Sequence, residues 1–315
     1  MKNISSIILK ILISGLFLLI VFKKIEFNSF YNIFKSIYIP LVIISFLIII
    51  CLTFLLSLRW FAIVKDEFEK GSFFLFWKLT MIGMFFNIFL PTGAGGDIAK
   101  IFYMIKGEEK KFFLGVSVLI DRFIGSFTVM AMATIAIIFT PDLNRKIYIL
   151  IPSLFFLLSL LFIFFSKRKF ASFLYAFFKK FLTQKIKYKV EEIYNVFFKY
   201  FSKKKNLLFA IGISFVLQSI SIFTQYLMGL SLFHNSFFSP NLKIFFIYVP
   251  IIWVATLIPS LGGLGIREFS YVFFFTPYFG KDKSFALSIL VLFSVIIQSF
   301  IGAIIFFTLN TSKNK

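Results

Sequence analysis

Three pairs of opposite charges interrupt otherwise apolar stretches of this sequence. They are Asp97 with Lys100, Asp121 with Arg122, and Arg267 with Glu268. A charged side chain at membrane depth costs about 3 kcal/mol or more unless it is paired or faces water, so such residues are functional candidates. Adjacent helix positions point about 100° apart, so Asp121 and Arg122 do not satisfy each other alone, and we expect their partners to be the other four charges, in two predicted hairpins. The six charges then form one network that sums to zero, and an incoming anion would displace a carboxylate from Lys100, Arg122 or Arg267. We expect that anion to be a phosphate, which arginine grips with two N–H donors. The alternative is a purely structural network that fixes helix packing.

Two of these pairs lie at the ends of glycine-rich stretches that contain proline. The first stretch is Phe89-Leu-Pro-Thr-Gly-Ala-Gly-Gly-Asp-Ile-Ala-Lys100, and the second is Leu257-Ile-Pro-Ser-Leu-Gly-Gly-Leu-Gly-Ile-Arg-Glu268. Proline and glycine break helices, and backbone groups freed at membrane depth must line a cavity or be buried in protein. Such turns also offer N–H groups and helix N-termini to a phosphate. The likeness of the two stretches indicates an internal repeat, which in transporters is typical of a substrate site.

The overall composition places these stretches in a membrane. Hydrophobic residues make up 60% of the 315 residues, and the mean hydropathy is +0.96, which is too apolar for a soluble globule. The net charge of +21 does not indicate nucleic-acid binding, because the cations lie between apolar spans, where membrane topology and anionic lipid explain them. The single cysteine and the lack of clustered histidines predict neither a disulfide framework nor a metal site. No Walker loop or nucleophile elbow is present, so we predict no cofactor and no catalytic residue.

Six uninterrupted apolar stretches are long enough to cross a bilayer. They are residues 4–22, 40–58, 112–139, 147–165, 207–232 and 284–309. Two further stretches, 74–105 and 244–279, carry the glycine motifs. No linker divides the chain, so we predict one integral membrane domain over residues 1–315. The predicted fold class is all-α, a polytopic membrane helix bundle of about six full spans plus two re-entrant broken-helix hairpins in an inverted repeat.

The basic segment 166–205 fixes the predicted topology. It carries twelve Lys or Arg against Glu191 and Glu192, so the positive-inside rule places it in the cytoplasm. Counting spans from there puts both termini in the cytoplasm and makes the two hairpins enter from opposite faces. Apolar residues at helical spacing beside the lysines also predict a basic amphipathic helix on an anionic lipid surface. We therefore expect a multi-pass protein of the cell membrane.

The three charged motifs together resemble the lysylphosphatidylglycerol synthetase transmembrane family, also called flippase-like. The matching residues are Asn87-x-x-Leu90-Pro91-Thr92 with Gly95-Gly96-Asp97, then Asp121-Arg122-x-x-Gly125, then Pro259-x-x-Gly262-Gly263-x-Gly265-x-Arg267-Glu268. Their order and spacing cover about residues 80–270. The family pattern has an arginine three residues after the first aspartate, where this chain has Lys100; the positive charge is kept but bidentate binding is not. With the charge analysis, the resemblance gives a predicted substrate-binding set of Asn87, Pro91, Thr92, Gly95, Gly96, Asp97, Lys100, Asp121, Arg122, Pro259, Gly262, Gly263, Gly265, Arg267 and Glu268.

The resemblance implies a membrane domain that moves a charged or glycosylated phospholipid between leaflets, in some members fused to a soluble aminoacyl-transferase. Because the sequence ends at Lys315, just after the last span, we expect a transporter rather than an enzyme. Two alternatives stay open. One is a membrane-embedded transferase acting on a polyprenyl-phosphate or phospholipid, and the other is an accessory subunit or scaffold for a lipid-modifying enzyme.

Overall fold

The structure is a computed structural model that describes residues 15–16, 19, 32–33, 35–66, 72–89, 95–104, 111–139, 145–166, 194–233, 240–256, 260 and 263–311. Across these ranges the chain is helical and has no strand. The helices are α1 (Ile39–Val64), α2 (Phe73–Phe89), α3 (Gly95–Met104), α4 (Lys111–Ile138), α5 (Arg145–Ser166), α6 (Lys204–Ser231), α7 (Leu242–Ala255), α8 (Ile266–Phe279) and α9 (Lys281–Thr311). Residues 194–202 form a further helical segment just before α6.

Five of these helices, α1, α4, α5, α6 and α9, are long and apolar enough to cross a membrane. Their 20 to 28 residues of apolar helix span about 30–42 Å at 1.5 Å per residue, against a hydrocarbon core of about 30 Å. The chain is therefore a multi-pass membrane protein, and the prediction of an all-helical fold is confirmed. All of the predicted span 4–22 except residues 15–16 and 19, and most of the basic segment, residues 167–193, lie outside the described residues.

The two glycine-containing stretches each form a pair of shorter helices, α2 with α3 and α7 with α8. α3 begins at Gly95, and α8 begins at Ile266 after Gly265 as N-cap. Gly263 and Gly265 both have φ of +82°, a left-handed conformation that only glycine adopts without strain. The breaks predicted from sequence are thus present, although residues 90–94, 257–259 and 261–262 lie outside the described part. Whether either pair is re-entrant stays a prediction.

Contacts between helices repeat between the two halves of the chain. If α1 to α4 are matched in order with α6 to α9, the contact of α2 with α9 corresponds to that of α7 with α4. The contacts α1–α2, α2–α3, α3–α4 and α1–α4 likewise correspond to α6–α7, α7–α8, α8–α9 and α6–α9. The matched helices α1 and α6 pack against each other, and α5 packs on α4 outside this scheme. This pattern agrees with an internal repeat, while its inverted sense stays a prediction.

Glycines let some of these helices touch backbone to backbone. A Cβ atom added at Gly96 of α3 would lie 2.1 Å from the carbonyl oxygen of Gly83 on α2. A Cβ at Gly302 of α9 would lie 2.1 Å from the carbonyl oxygen of Met81, also on α2. Small residues at helix interfaces permit this close approach in membranes. α2 is thereby held tightly between α3 and α9.

A polar contact ties the end of α1 to the start of α6. The Asp66 carboxylate accepts a hydrogen bond from Asn206 Nδ2 at 2.8 Å and lies 3.3 Å from Lys203 Nζ. Burial raises the pKa of Asp66, but the hydrogen bonds and positive charge of these partners outweigh it and lower that pKa overall. The ionised Asp66 carboxylate therefore stabilises the folded state.

Candidate functional site

A cavity of about 270 Å³ lies among α1, α2, α3 and α4, with Trp253 of α7 in its wall. Its lining includes five charged side chains, which belong to α1, α3 and α4. They are Arg59, Asp97, Lys100, Asp121 and Arg122. The structure therefore brings together the first two charged pairs that the sequence singled out, and adds Arg59.

Arg59 of α1 is the ion-pair partner of Asp121. Its Nε and Nη2 atoms donate to the two carboxylate oxygens at 2.7 and 3.0 Å, and both side chains are only 7% exposed. Two parallel bonds of this kind are the strongest arginine–carboxylate geometry. The expectation that Asp121 finds its partner in the hairpins was wrong, because the nearest matching guanidinium comes from a full span, α1.

Small and polar side chains hold Arg59 in place. Arg59 Nη1 donates to Ser214 Oγ at 3.0 Å, and Ser214 in turn lies 2.7 Å from the Thr128 hydroxyl. Gln218 Nε2 donates to that hydroxyl at 2.6 Å. A Cβ at Gly125 would lie 3.1 Å from Arg59 Nη1, so glycine in the Asp121-Arg122-x-x-Gly125 motif leaves room for this guanidinium. The glycine of this motif is thus explained by Arg59, a residue outside the motif.

Arg122 points to a different partner, Asp97 in the first turn of α3, and forms an ion pair with it through Nε. The Arg122 side chain is 46% exposed, so this pair borders the opening of the cavity rather than its floor. Asn87 Oδ1 accepts a hydrogen bond from Gly96 N at 2.9 Å and so satisfies a free donor at the start of α3. A carboxylate in the first turn also suits the positive end of the helix dipole.

Lys100 follows Asp97 by one turn of α3 and faces the same cavity, as its spacing predicts. It is buried, and its ammonium lies 5.4 Å from the centre of the Trp60 ring. No described carboxylate lies within 4.0 Å of this ammonium, because Asp97 pairs with Arg122 and Asp121 with Arg59. Among the described lining residues, three basic side chains face two carboxylates, which gives the lining a formal net charge of +1.

A hydroxyl group adds an unused hydrogen-bonding atom to this cavity. Thr80 of α2 is 1% exposed and lines the cavity, and its Oγ1 has no hydrogen-bond partner in the described part of the chain. Buried polar groups in proteins are nearly always hydrogen-bonded, and an unsatisfied one costs about 1–3 kcal/mol. An occupant with acceptor oxygens would satisfy both this hydroxyl and the Lys100 ammonium.

The third charged pair does not join this group. Arg267 donates to Glu268 Oε1 through Nε at 3.0 Å and Nη2 at 2.8 Å, and neither residue lines the cavity. Glu268 Oε2 also accepts from Gly265 N at 2.7 Å, which caps the start of α8. The hypothesis of one network of six charges is therefore wrong in this respect. Arg267 and Glu268 form their own neutral pair because the carboxylate is fully used within the first turn of α8.

The remaining predicted site residues divide into two groups. Pro91, Thr92, Pro259 and Gly262 lie outside the described residues, while Gly95 is buried at the start of α3. Arg59, Thr80 and Trp253 line the cavity but were not predicted. For Arg59 a signal existed, because it is a cation in an apolar run that continues to Val64, whereas the predicted span ended at residue 58.

Comparison with known proteins gives one match. Residues 7–305 match the family model described as the lysylphosphatidylglycerol synthase TM region. No curated protein and no solved structure matches the chain. The match covers nearly the whole sequence, including all the residues that line the charged cavity. The chain therefore belongs to the lysylphosphatidylglycerol synthase TM region family.

Proposed function

We propose that this protein moves a charged or glycosylated phospholipid between the two leaflets, and that the lipid phosphate passes through the charged cavity. The observation that carries this proposal is Lys100, a buried cation that forms no ion pair within 4.0 Å with a described carboxylate, because Asp121 and Asp97 are paired with arginines. A cation kept at this cost inside a membrane protein is explained by a ligand that supplies the missing negative charge.

The depth of the cavity supports this reading. Asp121 and Arg122 lie ten and eleven residues after the start of α4, or about 15 Å along its axis, which is half the hydrocarbon thickness. A phosphate that crosses the membrane needs charge compensation most strongly at that depth. A single negative charge would neutralise the net +1 of the lining, and Thr80 would donate one further hydrogen bond.

The size of the cavity limits what enters it. At about 270 Å³ it lies just below the range of about 300–1,000 Å³ for whole small-molecule sites. It therefore suits a headgroup and not two acyl chains. The half-exposed Arg122 marks the side where the headgroup meets the surroundings of the protein. We infer that the acyl chains stay in the bilayer while the headgroup moves.

Liposomes containing the purified protein and an anionic phospholipid with a fluorescent label on one acyl chain, which leaves the headgroup unmodified, test the proposal. A membrane-impermeant quencher reports how much of the lipid has changed leaflet. Lys100→Met should slow this movement tenfold or more, since hydrogen bonds to charged groups contribute about 1.5–3 kcal/mol. Lys146→Met is the matched control, because Lys146 is an exposed residue at the start of α5 and lies outside the cavity.

The assay should be run with and without ion gradients, because a driven transporter needs its energy source. Wild-type rates for a folded Lys100→Met protein would refute the proposal. Mass spectrometry of the lipid after incubation with candidate donors covers the enzyme alternative, which requires a chemically altered lipid. For the same protein we also propose a location in the cell membrane, with both termini and the segment 166–205 on the cytoplasmic side.

A further inference from the structure

A second cavity, of about 440 Å³, lies between α4, α6 and α7. Apolar side chains form most of its wall, including Met132, Ile135 and Phe139 on the α4 side and Phe246 on α7. Lys243 is the charged member of the lining. We call this cavity the apolar cleft. We propose that it binds one acyl chain of an anionic phospholipid whose phosphate lies against Lys243.

The cation and the apolar wall stand in the order that a phospholipid requires. Lys243 is the second residue of α7, and Phe139 comes directly after the last residue of α4, so both mark one end of the cleft. From Phe139 the cleft follows α4 back to Met132, a distance of about 10 Å. One leaflet of hydrocarbon is about 15 Å deep. The cleft therefore matches most of the depth that one acyl chain occupies below its headgroup.

The charge of Lys243 selects the occupant. Its side chain is exposed, and its ammonium lies 5.8 Å from the centre of the Phe139 ring. No described carboxylate lies within 4.0 Å of it, so its charge is available to a ligand. Lysines near a membrane surface attract anionic headgroups while their carbon stems lie on apolar surface. A zwitterionic lipid such as phosphatidylcholine also carries a phosphate, but its choline cation offsets that charge and weakens the attraction to Lys243.

The shape of the cleft distinguishes it from an ordinary lipid-facing helix surface. Ala136 is buried between Ile135 and Phe139, whose side chains are both exposed. The small side chain leaves a recess between larger neighbours, and α6 closes the far side. A chain lying in this recess contacts three helices at once, whereas a lipid at a flat surface contacts one. Retention of a single lipid is the expected consequence.

The cleft also adjoins the charged cavity. Val129 of α4 lines the charged cavity, and Met132, less than one helical turn further, lines the cleft. α7 likewise contributes Trp253 to the first and Ile247 to the second. A lipid held in the cleft is thus placed to give its headgroup to the cavity or to receive it. This last step rests on the proposed transport function, whereas the binding itself does not.

Photo-crosslinking tests the binding. The probe is phosphatidylglycerol with a diazirine at the end of one acyl chain, added to the full-length protein in nanodiscs of phosphatidylcholine, and labelled peptides are identified by mass spectrometry. We expect labels on the α4 and α7 residues of the cleft, near Met132 and Ile247. Lys243→Gln should reduce this labelling about fivefold.

Two controls make the result specific. Lys281→Gln removes the same charge from an exposed residue at the start of α9. Lys281 lies at the same end of the helix bundle as Lys243, because Phe279 contacts Phe245 in the first turn of α7. It should leave the labelling unchanged. Ala136→Phe fills the recess and should remove the labelling; if that variant does not fold, Lys243→Gln still decides.

Equal labelling by phosphatidylcholine with the same diazirine chain, or unchanged labelling in Lys243→Gln, would show ordinary surrounding lipid and overturn the proposal. Because labelling needs no transport, Lys100→Met should keep the wild-type pattern. A protein that is labelled in the cleft but moves no lipid would support the cleft and refute only the proposed function.

Discussion

Replacement of Arg59 by methionine offers the sharpest test of the ion pair at the base of the charged cavity. The change keeps an unbranched apolar stem in place of the arginine methylenes but leaves the Asp121 carboxylate buried at 7% exposure without its two donors. Breaking a buried ion pair by removing one partner costs about 3–5 kcal/mol. Counting two hydrogen bonds to a charged group at about 1.5–3 kcal/mol each gives a similar range. We expect the free energy of unfolding to fall by about 3–5 kcal/mol.

A double-mutant cycle separates the pair from its surroundings. The proteins are wild type, Arg59→Met, Asp121→Asn and the double variant, unfolded reversibly in detergent micelles and followed by circular dichroism. The double variant should be more stable than Arg59→Met alone, because it no longer buries an unpaired charge. Ser214 loses the Arg59 bond in every variant that lacks the guanidinium, but it keeps its 2.7 Å contact with Thr128. That loss therefore cancels within the cycle.

The Arg122–Asp97 pair supplies the internal comparison. Arg122→Met removes the same charge from the same cavity and leaves the Asp97 carboxylate, which is 9% exposed, without its partner; the Arg122 side chain itself is 46% exposed. Water that fills the space of the arginine can reach Asp97, so the cost should lie between the roughly 0–1 kcal/mol of an exposed ion pair and the roughly 3–5 kcal/mol of a fully buried one. If Arg122→Met costs as much as Arg59→Met, burial does not set the energies. If Arg59→Met costs under about 1 kcal/mol and the double variant is no more stable, the buried pair contributes nothing and the reasoning fails.

Substitutions at Gly96 and Asp66 and cysteine labelling of two loops test other parts of the fold. Gly96→Ala should destabilise the protein by about 1–3 kcal/mol in the same unfolding assay, because its Cβ would lie 2.1 Å from the carbonyl oxygen of Gly83. Gly212→Ala is the control and should be neutral or stabilising, because no atom lies within 4 Å of the added Cβ. Asp66→Asn should lower the free energy of unfolding by less than about 1 kcal/mol at neutral pH. Because the pKa of Asp66 is lowered in the folded state, the difference from wild type should shrink below about pH 4. A difference that stays constant with pH would contradict this. After replacement of Cys51, a cysteine at position 142 should react with an impermeant thiol reagent from outside the cell and one at position 108 should not; labelling of position 108 would rule out the re-entrant first hairpin.

Much of the fold could be predicted from the sequence because the bilayer imposes a simple rule. A backbone that crosses hydrocarbon must form its hydrogen bonds within the segment, so apolar runs of about 20 residues become helices. The predicted helix boundaries are wrong where a charged residue interrupts an apolar run. The predicted span 40–58 stops before Arg59, whereas α1 continues to Val64. The helix carries Arg59 inside the protein because Asp121 and Ser214 satisfy it.

The pairing of charges was less predictable, since it depends on which faces of distant helices meet. Spacing correctly placed Asp97 and Lys100 in one cavity, because both lie on one face of α3. It could not show that Asp121 pairs with a residue 62 positions earlier in the chain. Nor could it show that Arg267 turns to its own neighbour, Glu268, instead of to the first hairpin. Helix-to-helix register decides both, and no local pattern encodes it.

These two outcomes give the halves of the repeat different electrostatic roles. In the second half, Glu268 neutralises Arg267 and also caps α8 through Gly265 N, so an anion would have to displace a carboxylate that makes three hydrogen bonds. In the first half, Asp121 and Asp97 each pair with an arginine, and the Lys100 ammonium lies over the Trp60 ring. An anion there gains a cation without breaking any existing pair. On the proposed function, the phosphate therefore binds beside the first motif, and the second half contributes Trp253 to the wall of the same cavity.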